Sequence, residues 1–196
     1  MILKDLIKSA KLISISKHLK KEFQTIWDIV VYGSLVKGKP KPNDIDIAVI
    51  LNNKQALSFK LELGQKIKVA FQKEVNLNLD VKVVDLFELQ ENNFLARESI
   101  LAEGFSLINN RWLSEIFGFK SAYLFHYDLK NLTASRKKMF YYALKGRRGS
   151  KGILDRMKGE QLSDNLIKIP IEFSYEFIEL LEGYKIRYKM NKSLFY

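Results

Sequence analysis

The sequence predicts an α+β chain: a mixed β-sheet backed by helices, followed by a smaller, basic α/β part. Two β-rich runs, 26–32 and 44–51, flank a loop broken by Gly38, Pro40 and Pro42, through which neither helix nor ladder continues. A third run, 77–84, alternates with period two and follows a helix-length amphipathic stretch, the β-α-β order that sets helices against a sheet. Charge then changes along the chain. Residues 1–110 hold 16 Lys/Arg against 13 Asp/Glu, whereas residues 111–196 hold 17 against 9. This shift predicts two parts, 1–110 and 111–196, with no flexible linker between them.

Each element has a local reason. Residues 2–22 carry Leu3, Leu6, Ile7, Ala10 and Ile13 at helical spacing. The run 26–32 ends at Gly33, as a strand feeding a turn does. Asn53 is placed to cap a helix over 54–73, with Leu57, Leu61, Gly64, Ile67 and Phe71 as its stripe. In 77–84, Leu77, Leu79, Val81 and Val83 share one face, and Asn78, Asp80 and Lys82 the other. A helix over 86–101 stops near Gly104, and 105–108 reads as a short closing strand. Beyond 111 the pattern predicts a helix over 134–145 ending at Gly146, a strand over 167–171 and a helix over 174–182 stopped by Gly183. A last strand spans about 185–190.

The stretch from Gly33 to Asp46 carries the chemistry. Asp44 and Asp46 lie one residue apart in a strand, so they point the same way while Ile45, Ile47 and Val49 point into a core. Two carboxylates so close repel, and a divalent cation between them relieves the repulsion. The Gly33-Ser34 turn just upstream offers backbone N–H groups and a hydroxyl suited to phosphate oxygens. Metal and phosphate together point to a nucleotide. Asp80 adds a third carboxylate from a strand of matching parity, and two-metal phosphoryl chemistry uses such a cluster. Asp85 has the opposite parity and reads as a cap for the following helix.

Gly33-Ser34, a short spacer, Asp44-Ile-Asp46-Ile and a later apolar-Asp80-apolar strand resemble the signature of the DNA polymerase β-type nucleotidyltransferase superfamily. The likeness covers roughly 28–108, since Ala102-Glu-Gly104-Phe is similar to that family's closing segment. It implies the mixed-sheet nucleotidyltransferase fold and a metal-dependent enzyme using Mg²⁺ or Mn²⁺. The implied reaction moves a nucleoside monophosphate from an NTP such as ATP to a hydroxyl acceptor and releases pyrophosphate. By the same resemblance Asp44 and Asp46 ligate both metals, Asp80 assists the catalytic one, and Gly33 and Ser34 hold the triphosphate. Lys37, with Lys39 and Lys41, reads either as a contact to triphosphate or nucleic acid or as part of a solvated loop. Leu35 and Lys37 stand where small antitoxin-type members carry arginines.

The acceptor is read from charge. Residues 136–158 hold nine basic side chains and one acid, Asp155. Arg136, Lys137, Lys138, Lys145, Arg147, Arg148 and Lys151 are the candidate nucleic-acid contacts, with Gly146, Gly149 and Gly152 allowing backbone to approach phosphate. RNA is the preferred acceptor. Two alternatives stand beside it: a toxin-neutralising or protein-modifying nucleotidyltransferase that binds a partner protein, and a catalytically silent nucleic-acid-binding module. Phe140, Tyr141 and Tyr142 could stack on bases, but Met139, Phe140, Ala143 and Leu144 read better as a core stripe. His18 and His126 lie apart from any acidic pair and read as structural.

Composition narrows the rest. The 196 residues are 47% apolar, carry a net charge of +11 and include no cysteine, which excludes disulfides, thiolate zinc sites and cysteine nucleophiles. Lys4, Asp5, Lys8, Lys11 and Lys17 interrupt any signal-peptide core, and no apolar run approaches the ~18 residues of a membrane span. The expectation is a soluble cytoplasmic protein without a membrane partner.

Overall fold

The computed structural model describes residues 9–196. Contacts divide the chain into two units, Met1–Phe119 and Lys120–Tyr196. Among the described residues the first helix is α1 (Ala10–Glu22); Leu3, Leu6 and Ile7 of the predicted helix lie outside them. Strands β1 (Ile26–Tyr32) and β2 (Asp44–Leu51) fall where the sequence puts them. They are followed by α2 (Leu57–Gln72), β3 (Asn78–Asp85), α3 (Arg97–Glu103), β4 (Phe105–Ser106), β5 (Arg111–Trp112) and α4 (Leu113–Ile116). The five strands form one sheet in the order β3-β2-β1-β4-β5. It is mixed: β1 runs antiparallel to β2 and β4, and β2 pairs in parallel with β3 across the α2 crossover.

Both faces of this sheet are covered, which explains why β2 is buried without interruption from Ile47 to Leu51. On one face Val31, Ile45, Ile47 and Leu79 meet Leu12 of α1 and Phe71 of α2 around a void of about 10 Å³. On the other, Val30, Tyr32, Ala48, Ile50 and Val84 pack with Ile100 of α3 and Leu113 of α4. The division between units falls after Phe119 rather than at residue 110, because β5 pairs with β4 and α4 buries Leu113 in the first core.

Two helices depart from their predicted form. Helix α2 starts at Leu57 with Ala56 as its cap residue, because the Asn53 side chain accepts from Gln55 Nε2 (3.0 Å) instead of capping. Its buried stripe is Lys60, Leu63, Ile67 and Phe71, while Leu57 and Leu61 are 71% and 66% exposed. The predicted helix over 86–101 is a 3₁₀ turn, Glu88–Gln90, followed only later by α3. Asp85 ends the strand and takes the N–H groups of Phe87 and Glu88, both at 3.0 Å, in its cap-like role. The Glu88 carboxylate turns back to the Asp85 N–H (2.9 Å) and to Lys60 Nζ (2.7 Å), which also reaches Asp85 at 2.9 Å. This partly buried triad fixes the chain in a tight turn where a regular helix would otherwise continue.

The second unit runs β6 (Lys120–Asp128), α5 (Ala134–Lys145), α6 (Ile153–Met157), β7 (Glu160–Ser163), β8 (Leu166–Pro170), α7 (Ser174–Gly183) and β9 (Arg187–Phe195). Its sheet has the order β7-β8-β6-β9 with every pair antiparallel. This is the split β-α-β arrangement, in which two β-α-β halves interleave. Its core is aromatic: Phe125 meets Phe177 edge-on at 4.9 Å, and Tyr127 meets Phe140 at 5.6 Å. Phe140 and Leu144 of the predicted stripe therefore belong to the core, but Met139 is 57% exposed. Pro170 closes β8, opposite Ala122 and past the last residue that β7 pairs. Among the described residues no helix is long and apolar enough to cross a membrane.

Candidate active site

The candidate site forms where β1 ends and β2 and β3 begin. Register places Tyr32 opposite Asp46 and Asp46 opposite Asp80, so one rung across three strands carries a phenol and two carboxylates on the same face. Asp44 lies two residues earlier on that face, opposite Asn78. Further along, the same face closes over as core through Ala48, Ile50 and Val84, leaving the acids at its open end.

Gly33 follows Tyr32 with φ +78°, and a Cβ there would run into the Asp46 carboxylate. Only glycine permits both the backbone conformation and the approach. The chain then winds through a compact turn, with Gly38 N–H donating to the Leu35 carbonyl (3.0 Å) and Lys39 N–H to that of Ser34 (3.1 Å). Leu35 and Val36 are buried, which pins the start of the loop below Ser34. Lys37 Nζ sits 3.7 Å from Glu103 Oε2, a carboxylate fully buried at the end of α3. Its charge also acts on Asp46.

Electrostatics single out Asp46. Burial first, then the charges of Asp44 and Asp80, hold its carboxyl above the usual range against the pull of Lys82 and Lys37. Asp80, about half exposed, has Lys82 Nζ 3.4 Å away. The Lys82 stem lies beside Ala48 in the register, and its ammonium faces Tyr32. Burial works against that ammonium, but Tyr32 and Asp80 together hold its pKa up. The buried Tyr32 phenol is also pushed up, chiefly by burial.

Three carboxylates of hard oxygen character suit a divalent cation, and the strain on Asp46 is of the kind such a cation relieves. Asp44 and Asp46 fit the role. Among the described residues, however, no group of three or more His, Cys, Asp or Glu side chains is gathered to hold a metal ion. Asp80 carries the Lys82 ammonium near its Oδ2. Lys82 shares the parity of Asp80 two residues on, so the sequence signals it; Tyr32 enters only through the β1–β2 register.

The seven basic residues singled out by charge lie in the second unit, on α5 and the loop after it. All but the half-buried Lys137 are exposed, and none is ion-paired among the described residues. Among the described residues the one ion pair of the 136–158 segment is Arg156 with Glu176 (2.5 Å). His126 is exposed on β6, its Nε2 2.8 Å from Asn165 Nδ2.

The family model described as "Polymerase beta, Nucleotidyltransferase" matches residues 13–111. Among solved structures the chain is similar to a toxin–antitoxin with AMP-PNP (25% identity, 50% of this chain and 73% of that one, TM-score 0.36). It is similar also to a tri-AMPylated Shewanella oneidensis HEPN toxin in complex with MNT antitoxin (25% identity, 50% and 68%, TM-score 0.34). A further likeness is to a chain from Shewanella oneidensis (18% identity, 56% and 80%, TM-score 0.37). No curated protein matches the chain.

Proposed function

Since the chain belongs to the polymerase beta nucleotidyltransferase family, with residues 13–111 as the matching part, we propose that it transfers a nucleoside monophosphate from an NTP to a hydroxyl on RNA. The observation that carries this reading is the rung of Asp46 and Asp80 beside Asp44, with Gly33 pressed against the Asp46 carboxylate. In the reaction the acceptor oxygen bonds to the α-phosphorus, the bond from that phosphorus to the bridging oxygen breaks, and pyrophosphate departs. The Gly33-Ser34 turn and Lys37 hold the triphosphate, and Asp80, the most exposed of the three acids, takes the hydroxyl proton. Asp44 and Asp46, joined by Asp80, would hold Mg²⁺ or Mn²⁺, which supplies charge neutralisation at the phosphates and a lower pKa for the attacking hydroxyl. The acceptor lies along Arg136, Lys137, Lys138, Lys145, Arg147, Arg148 and Lys151, a set supported by its unpaired charge.

The test is transfer of label from each of the four NTPs, with Mg²⁺ or Mn²⁺, to cellular RNA or protein. Asp44→Ala and Asp46→Ala are expected to abolish transfer while leaving RNA binding near that of the wild type. Retained transfer in both variants would sink the assignment. Label on protein alone would replace RNA with a protein acceptor.

A further inference from the structure

Two glycines of the basic loop also shape its backbone. Gly146 ends α5 at φ +85°, and a Cβ on it would stand 2.8 Å from the Gly152 nitrogen; one on Gly152 would in turn strike Gly146. The two glycines thus pinch the loop shut at its base, and residues 147–151 project as a closed tip. Within the tip, Ser150 N–H donates to the Arg147 carbonyl (3.1 Å), as does the Ser150 hydroxyl (2.6 Å). The Arg147 N–H donates back to Ser150 Oγ (3.0 Å).

The two central residues of this turn, Arg148 and Gly149, have φ of +50° and +84°. Positive φ at both centres is the type I′ pattern, whose first central position favours Asn, Asp or Gly. Arginine there is strained. Three other non-glycine residues share positive φ, and each has an ordinary reason. Asn110 tolerates it intrinsically. Lys158 caps α6 and Lys185 follows α7, where a cation gains from the helix C-terminus. Arg148 lies beyond the cap of α5 and has no such compensation.

The tip also concentrates like charge. Lys145, Arg147, Arg148 and Lys151 are exposed, and none is ion-paired among the described residues. The Arg147 guanidinium is held 4.9 Å over the Tyr142 ring, which Lys138 approaches at 5.8 Å. A strained turn that carries cations with no ion pair among the described residues is arranged for a polyanion.

We propose that the Arg147–Ser150 turn grips the phosphodiester backbone of the RNA acceptor, with Arg148 as the contact that its strain serves. The inference rests on the RNA reading above. Recognition of this kind is sequence-independent and weakens with salt. Arg148→Gly separates fold from binding, because glycine takes φ +50° without strain. The variant is expected to melt at or above the wild-type temperature. Its affinity for two labelled single-stranded RNAs of unrelated sequence should fall several-fold and equally. Its salt slope should be shallower by about one. A lower melting temperature, an unchanged affinity, or a loss confined to one RNA would overturn the inference while leaving the RNA reading in place. A wild-type protein that binds neither RNA overturns both, and leaves the Asp44 and Asp46 transfer test to stand by itself.

Discussion

At Asp46 three influences meet on one carboxyl group: burial, the Asp44 charge and the Asp80 charge, in that order of weight. All three raise its pKa in the folded state. Such a group favours folding while protonated and loses that contribution as pH rises through its folded pKa. In chelator-treated protein, Asp46→Asn should therefore melt above the wild type at pH 7. The difference should vanish below about pH 4, where the carboxyl is protonated folded or unfolded. Melting curves across that range check it. The position of Asp46 was legible in the sequence because strand parity depends on spacing alone. The company it keeps was less so. Tyr32 reaches the same rung only through antiparallel register, and Lys37 is drawn towards Glu103 by a fold no local pattern encodes.

Helix α2 joins the sheet through a charge as well as through apolar packing. Lys60 is 8% exposed on its buried stripe and is held by Asp85 and Glu88. Burial opposes ionisation of Asp85, but the Lys60 ammonium and the N–H groups of Glu88 and Phe87 outweigh it and keep that carboxyl below its usual range. Lys60→Ala leaves a buried carboxylate without its cation and should cost about 3–5 kcal/mol. Urea unfolding measures it, and a loss under about 1 kcal/mol would contradict the role given to the triad. The buried face of α2 is not legible in the sequence, because Leu57 and Leu61 outrank a lysine on any apolar pattern. The strands were more legible: β1 and β2 are punctuated by Gly33 and the prolines, and α5 by Thr133, whose side chain accepts from Arg136 N–H, and Gly146.

Charge is distributed unevenly over the whole molecule. Lys120–Tyr196 holds 16 Lys/Arg against 8 Asp/Glu, whereas the preceding residues hold 17 against 14. If RNA engages about six of these cations, affinity should fall by about 10³ or more between 50 and 200 mM salt, as fluorescence anisotropy would report. A flat response would exclude a polyanionic partner. The order of strands in this unit was hidden from the sequence, because β7 and most of β9 are polar and owe their form to the neighbours they pair with. The parallel pairing of β2 with β3 has a consequence in time. Asp46 is positioned by a local antiparallel hairpin with β1, whereas Asp44 pairs only with β3 and Asp80 joins only after the α2 crossover has closed. Non-local closure is slow. A chain emerging during synthesis or refolding is therefore expected to set Asp46 in place first, with Asp44 and Asp80 fixed beside it only when β3 docks.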